Sequence, residues 1–276
     1  VTGALLGPAE VRTLAASLDL NPTKKLGQNF VIDANTVRRI VKAAGVVAGE
    51  TVVEVGPGLG SLTLAITEVG ASVVAIEVDR RLADRLPVTV AERQPSASLT
   101  VVTADALTIT ELPGAPTVLL ANLPYNVSVP VLLHFLELFP GLQRGLVMVQ
   151  AEVGARVAAE PGSKIYGSPS VKAAWYGDFT TAGQVSRQVF WPVPNVDSIL
   201  VKFQRHPEPG SEDERVATFR LVDAAFGQRR KMLRQSLSEV FGGSAAASDR
   251  LEAAGVAPTA RGEELTVADF LAIARA

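Results

Sequence analysis

The stretch Thr51-Val-Val-Glu-Val-Gly-Pro-Gly-Leu-Gly60 limits the fold of this 276-residue chain more than any other. Val52, Val53 and Val55 give the apolar run of a strand covered on both faces, the habit of parallel sheets. Gly56, Gly58 and Gly60 allow a sharp turn and leave room for a ligand to lie against the backbone. Ser61-Leu-Thr-Leu-Ala-Ile-Thr-Glu68 continues as a helix, so strand, turn and helix together form a nucleotide-binding start. The dinucleotide fingerprint G-x-G-x-x-G requires a glycine where this chain has Ser61; the spacing here is G-x-G-x-G.

The next two strand ends narrow the choice of nucleotide. Ser72-Val-Val-Ala-Ile-Glu77 ends in an acid whose carboxylate can accept hydrogen bonds from both hydroxyls of a ribose, a feature shared by NAD and S-adenosylmethionine (SAM) sites. A third strand, residues 99–103, leads to Ala104-Asp105-Ala106, and Asp105 could accept from an adenine amino group. Three acidic or glycine-rich strand ends in series favour SAM. A tight turn with no ligand is the plainer alternative for the three glycines.

Composition bounds the remaining choices. With 47% hydrophobic residues, 20% charged residues and a net charge of −2, the chain has ample material for a core and no signature of disorder. It has no cysteine, which excludes disulfides, zinc-thiolate sites and thiol catalysis. Its two histidines, His134 and His206, leave little for a histidine metal cluster or a Ser-His-Asp triad, and no metal is expected. His134 lies in an apolar helical run and reads as a packed histidine. No basic-then-apolar leader and no run of membrane-spanning length is visible, so the cytoplasm is the expected location.

Taken in order, a helix over residues 8–19 is expected to enter at Pro8, and residues 21–30 read as a loop. Asp33 is a plausible N-cap for a helix through Ala44 that sets Val37, Ile40, Val41 and Ala44 on one face. Asp79 is expected to cap a helix limited by Pro87. A fourth strand at 117–121 precedes Asn122-Leu-Pro-Tyr125, followed by a helix at 128–139, a strand within 142–149 and a helix at 150–160. Residues 161–169 look mobile, and two strands are expected within 178–189 and 197–203. This alternation indicates an α/β fold with a doubly wound, mostly parallel, Rossmann-like sheet. The catalytic domain is expected to span residues 1–206, and a small helical domain residues 207–276.

Basic residues fall in three clusters: Lys24-Lys25; Arg38-Arg39 with Lys42; and Arg229-Arg230-Lys231 with Arg234. If residues 229–241 are helical, Arg230 and Arg234 lie one turn apart on one face. A solvated face explains any one cluster, whereas three in an acidic chain raise the case for a phosphate-contacting surface.

The chemistry is expected at Asn122-Leu-Pro-Tyr125. An adenine 6-amino group is a poor nucleophile because its lone pair is delocalised into the ring. Two acceptors on its two hydrogens pull the nitrogen toward tetrahedral geometry and free that lone pair. The Asn122 side-chain oxygen and the Leu123 carbonyl are the candidates. Pro124 stiffens the turn that aims them, and Tyr125 offers a ring face for the base. A methyl sulfonium needs no strong general base, so orientation and electrostatic preorganisation carry the catalysis. A strand-ending Asx-Pro turn is the structural alternative.

With these residues in place, the chain resembles the KsgA/RsmA family of ribosomal RNA adenine dimethyltransferases, within the wider class that includes erythromycin-resistance methylases. Lys25-Leu-Gly-Gln-Asn-Phe30 is similar to the family's cofactor-covering motif, Glu54–Gly60 to its SAM loop and Asn122-Leu-Pro-Tyr-Asn126 to its catalytic motif. Pro161–Gly167 and Phe190-Trp-Pro-Val-Pro-Asn-Val-Asp-Ser198 resemble later target-side segments, and Phe226-Gly-Gln-Arg-Arg-Lys231 the basic motif of its helical domain. The resemblance implies SAM contacts from Asn29, the Val31 backbone, Gly56, Gly58, Glu77, Asp105 and Asn122. It implies that Phe190 closes the target base against Tyr125, and that Lys24, Lys25, Arg229, Arg230, Lys231 and Arg234 face RNA. Val31 stands where leucine is expected, and Gly227 where asparagine is more usual. The implied reaction is dimethylation of two adjacent adenosines near the 3′ end of 16S rRNA, in an immature 30S particle, by a monomer. A 23S rRNA methylase of the resistance type and a non-catalytic rRNA-binding or assembly factor are the competing readings.

Overall fold

A computed structural model describes residues 5–20 and 29–276. Its elements are, in order, α1 (Pro8–Ser17), β1 (Phe30–Val31), α2 (Ala34–Ala44), β2 (Thr51–Val55), α3 (Ser61–Glu68), β3 (Ser72–Glu77) and α4 (Arg80–Arg93). There follow β4 (Leu99–Thr103), β5 (Val118–Asn122), α5 (Ser128–Leu138), β6 (Arg144–Gln150), α6 (Ala151–Val157), α7 (Ser168–Ala174), β7 (Gly177–Val185), β8 (Phe190–Trp191) and β9 (Ser198–Arg205). The helices α8 (Glu212–Gly227), α9 (Leu233–Ser236), α10 (Ser238–Phe241), α11 (Ser244–Ala253) and α12 (Val267–Arg275) close the chain. Residues 21–28, the expected loop with Lys24 and Lys25, lie outside the described residues.

The sheet has seven strands in the order β4-β3-β2-β5-β6-β9-β7. β2 lies in its interior, parallel to both β3 and β5, with Val53 opposite Val74 on one side and Leu119 on the other. Val52 and Val53 are wholly buried, as the unbroken valine run requires of a strand covered on both faces. The chain runs outward from β2 through β3 to β4, then returns to β5 and β6, so its direction of travel reverses between β2 and β5. Parallel register brings Val55, Glu77, Thr103 and Asn122 to one edge of the sheet. In an open α/β sheet that edge, at such a reversal, is where ligands bind. β9 then runs antiparallel to β6, pairing Ser198 with Gln150.

The helices behave largely as their patterns dictate. Asp33 accepts from the Asn35 N–H at 3.1 Å and from the Thr36 hydroxyl at 2.9 Å, capping α2. Val37, Ile40, Val41 and Ala44 form its buried face, and Gly45 ends it in the left-handed conformation. The expectation that Pro87 limits the next helix is corrected, because α4 runs through it to Arg93. Leu82, Leu86 and Val90, on both sides of the proline, bury one continuous face, and that packing outweighs the backbone bond the proline removes.

By its contacts the chain divides into two compact units, residues 1–154 with 180–205, and residues 155–179 with 206–276. One boundary falls near residue 206, and a second crossing assigns residues 155–179 to the helical unit. The physical reason is core packing: Tyr166 and Val171 belong to the cluster formed by Leu221, Val222, Leu233, Leu237, Leu251 and Phe270. Within residues 161–169 an anchored point is Tyr166. Tyr166 is buried, and its hydroxyl donates to the Leu265 carbonyl at 2.8 Å. The condition of one helix over 229–241 is not met, since α9 and α10 are separate short helices and residues 229–232 lie outside them. The Leu233 and Arg234 N–H groups donate to Ala260 and Pro258 carbonyls at 2.8 and 3.2 Å, which takes away the donors that a helix continuing from α8 would need.

Candidate active site

The glycine turn after β2 is fixed to the end of β3. The Gly56 N–H donates to the Ile76 carbonyl at 2.9 Å, and the Gly58 N–H to Glu77 Oε2 at 3.1 Å. Glu77 Oε1 accepts from the Asp79 N–H at 3.0 Å, so one carboxylate holds two loops in register. Gly58 has φ 58°, and a Cβ there would lie 2.9 Å from the Phe30 ring. Both facts demand glycine. Burial raises the pKa of Glu77, and the backbone N–H bonds from Asp79 and Gly58 work against that rise.

A second carboxyl lies deeper. Glu54 sits within β2, 1% exposed, and accepts from the Thr63 hydroxyl at 2.6 Å. Burial pushes it up to about 8; the Thr63 bond opposes the rise and the nearby Glu77 charge adds to it. A neutral carboxyl is the natural state of such a group over much of the pH range.

Asn122 ends β5, on the other side of the glycine turn. Its Nδ2 donates to the Asn29 carbonyl at 3.0 Å. A carbonyl only accepts, so this bond fixes which way the amide lies and leaves Oδ1 as the free acceptor. The Leu123 N–H donates to the Met148 carbonyl at 3.0 Å, which anchors the following turn to β6. The Tyr125 hydroxyl, half-buried, lies 2.9 Å from Ser198 Oγ. Burial raises the Tyr125 pKa, with the Ser198 bond opposing, so the phenol stays neutral at working pH.

All seven residues expected on the cofactor side (Asn29, Val31, Gly56, Gly58, Glu77, Asp105 and Asn122) line one cavity of about 360 Å³, together with Pro124. Leu123, Tyr125 and Phe190 are not among its lining residues. Phe190 is 1% exposed, opposite Val31 in a two-stranded ribbon, and packs in the core of the first unit. In this conformation its ring is a core element, and a stacking role requires the ribbon to open. The cavity also shows what the sequence reading passed over. Glu54, Asp79, Leu82, Val127 and Val131 line it, and a lone acid inside the valine run of β2 was the signal for Glu54.

The residues fit SAM. The glycine turn and Glu77 border the same cavity, so backbone N–H groups and a carboxyl face one space. A carboxylate has about four acceptor sites, so Glu77 can serve ribose hydroxyls beyond its two backbone bonds. Asp105 is exposed at the rim, with one oxygen holding the Leu107 N–H at 2.9 Å. Four carboxyl groups line the cavity, Glu54, Glu77, Asp79 and Asp105, which suits a cationic ligand. Among the described residues, no group of three or more His, Asp or Glu is placed to hold a metal ion.

The basic candidates separate. Arg229 forms an ion pair with Glu263 at 2.8 Å and donates to the Lys164 carbonyl, so it serves its own unit. Arg230 and Lys231 are exposed and Arg234 is partly so. In the first unit, Arg38 is held by both oxygens of Glu68 at 2.7 Å.

The sequence pattern of the family described as ribosomal RNA adenine dimethylase matches residues 20–276. The chain is 69% identical, over 98% of its own length and 98% of the relative's, to ribosomal RNA small subunit methyltransferase A of Leifsonia xyli subsp. xyli. The crystal structure of the 23S rRNA methyltransferase ErmE superimposes with a TM-score of 0.67 at 25% identity, covering 90% of this chain and 98% of that one. A dimethyladenosine transferase from Plasmodium falciparum gives a TM-score of 0.73 at 22% identity, covering 87% and 94%, a likeness of fold.

Proposed function

We infer the function from one premise: the chain belongs to the ribosomal RNA adenine dimethylase family. It is a SAM-dependent methyltransferase that modifies adenines of small-subunit ribosomal RNA. The small-subunit reading prevails over the resistance-type reading because the full-length relative named for the small subunit is 69% identical, against 25% for the 23S enzyme. The finer assignment, two adjacent adenosines near the 3′ end of 16S rRNA, each receiving two methyls in an immature 30S particle, is part of the proposal. A monomeric enzyme in the cytoplasm completes it. The observation that carries the site assignment is the convergence of the glycine turn, Glu77 and Asn122 on one cavity.

The chain's own groups then have definable tasks. Glu77 and the glycine turn would hold the ribose, and Asp105 at the rim would hold the adenine of the cofactor. When bound, SAM supplies an electrophilic methyl group on a sulfonium. Asn122 Oδ1, freed by the Nδ2 bond to Asn29, accepts one hydrogen of the target amine, and the Leu123 carbonyl accepts the other. Together they turn the amine lone pair out of the ring plane. Both acceptors are held before substrate arrives, so no reorganisation is needed at the moment of transfer. The reaction needs no strong base, since the methylated amine is acidic enough to lose its proton to solvent. The target adenine must be unstacked to reach this edge of the sheet, which favours a single-stranded or loop position.

The test is transfer of labelled methyl from SAM to immature small subunits, mature small subunits, large subunits and naked rRNA. Dimethyladenosine in the immature small subunit is expected. Label in large-subunit rRNA instead would restore the resistance-type reading, and binding without label would make the chain a scaffold.

A further inference from the structure

The Tyr125–Ser198 contact joins the turn that carries Asn122 to a strand 73 residues away. Ser198 is wholly buried, and nothing in the reaction requires a hydroxyl there. Its place is over-determined. It opens β9 opposite Gln150, the preceding Asp197 carbonyl accepts from the Ala151 N–H at 3.0 Å, and Asp197 Oδ1 accepts from the Arg187 N–H at 2.9 Å. Tyr125, by contrast, sits on a short turn with two longer bonds, from the Val127 N–H to the Pro124 carbonyl at 3.2 Å and from the Ser128 hydroxyl to the Tyr125 carbonyl at 3.4 Å. The rigid partner is the serine and the adjustable one is the tyrosine. A hydrogen bond at the phenol tip fixes the direction in which the ring points, set by χ1. The tip oxygen lies on the χ2 axis, so χ2 is biased through the preference of the phenol O–H for the ring plane.

We propose that Ser198 is a positioning residue for methyl transfer: its hydroxyl holds the Tyr125 ring in one orientation and thereby steadies the Asn122–Tyr125 turn against the rest of the sheet. The inference rests on the functional reading above. It adds a residue that touches neither cofactor nor base and acts only through the tyrosine. Ser198 can donate to the phenol oxygen or accept from it, so threonine, which keeps the hydroxyl, is the conservative replacement and alanine the disruptive one.

The test combines kinetics with a readout of the ring itself. Ser198→Ala is expected to lower kcat roughly tenfold with KM for the ribosomal particle and the Kd for SAM little changed, because orientation and not binding is lost. Ser198→Thr restores kcat to within about threefold. Tyr125→Phe, which keeps the ring and loses the hydroxyl, lowers kcat by a similar factor, and the double variant is no worse than the poorer single variant. In protein labelled with 13C-tyrosine, the Tyr125 ring signals, identified by their loss in Tyr125→Phe, shift and broaden in Ser198→Ala and return in Ser198→Thr. Normal kcat in Ser198→Ala, additive losses in the double variant, or unchanged ring signals would overturn the proposal. Absence of transfer by the unaltered protein would overturn the functional reading instead, and the ring signals would still decide whether the clamp exists.

Discussion

Glu54 shows how one residue links fold and site. Its carboxyl lies inside β2 with a single side-chain donor, Thr63, and a pKa pushed up to about 8. In the unfolded chain the same group titrates near its ordinary value of 4.5. A raised folded-state pKa means that stability from the protonated carboxyl is complete below about 4.5 and is lost as pH rises toward 8. Each unit of displacement corresponds to about 1.4 kcal/mol. Glu10, Glu50, Glu68 and Asp79 are shifted downward, so their contributions are lost at acid pH, outside this window. Glu54→Gln keeps an acceptor for Thr63 and removes the titration. The variant is expected to match the unaltered protein near pH 5 and to exceed it in thermal midpoint at pH 8, both without SAM. Parallel midpoint curves across that range would contradict the assignment.

At the scale of elements, Pro87 offers the cleanest perturbation. It is exposed, it lies within α4, and it denies the Ala83 carbonyl its helical partner. Pro87→Ala restores that bond without touching the buried face of Leu82, Leu86 and Val90. It is expected to stabilise the protein by about 1–3 kcal/mol, visible as a higher midpoint in thermal or denaturant unfolding. Loss of stability would show that the proline rigidifies the unfolded chain by more than it costs the helix. The same helix shows where sequence reasoning succeeds and where it stops. The strand and glycine turn at 51–60, the Asp33 cap and the strand ends at Glu77 and Asn122 were legible because each depends on local chemistry: apolar runs, backbone freedom, a side-chain acceptor at a helix start. Passage of α4 through Pro87 and the break between α8 and α9 were not, since each is decided by partners distant in sequence. For the break, those partners are the Pro258 and Ala260 carbonyls.

At the scale of the whole molecule, the two units have separate cores, and the helical one borrows residues 155–179 from the middle of the chain. No local signal marks that loan; only the packing of Tyr166 and Val171 against α8 and its neighbours reveals it. Nor does the net charge of −2 announce an RNA partner, which depends instead on where cations stand exposed. Arg230 and Arg234 changed together to Glu should weaken binding to small-subunit particles and flatten its dependence on salt. Arg229→Ala should lower the stability of the helical unit, because it breaks the Glu263 pair, with the salt dependence kept. A binding curve unaltered by the double change would return those residues to an ordinary solvated surface.

The central claim is that methyl transfer depends on an amide oxygen held at the end of β5. Single-turnover transfer by Asn122→Ala, with SAM affinity and thermal midpoint measured on the same preparation, tests it most directly. The expected result is a rate lowered by roughly a hundredfold or more, a midpoint near that of the unaltered protein, and SAM affinity reduced far less than the rate. A near-normal rate would contradict the account and move the chemistry away from Asn122.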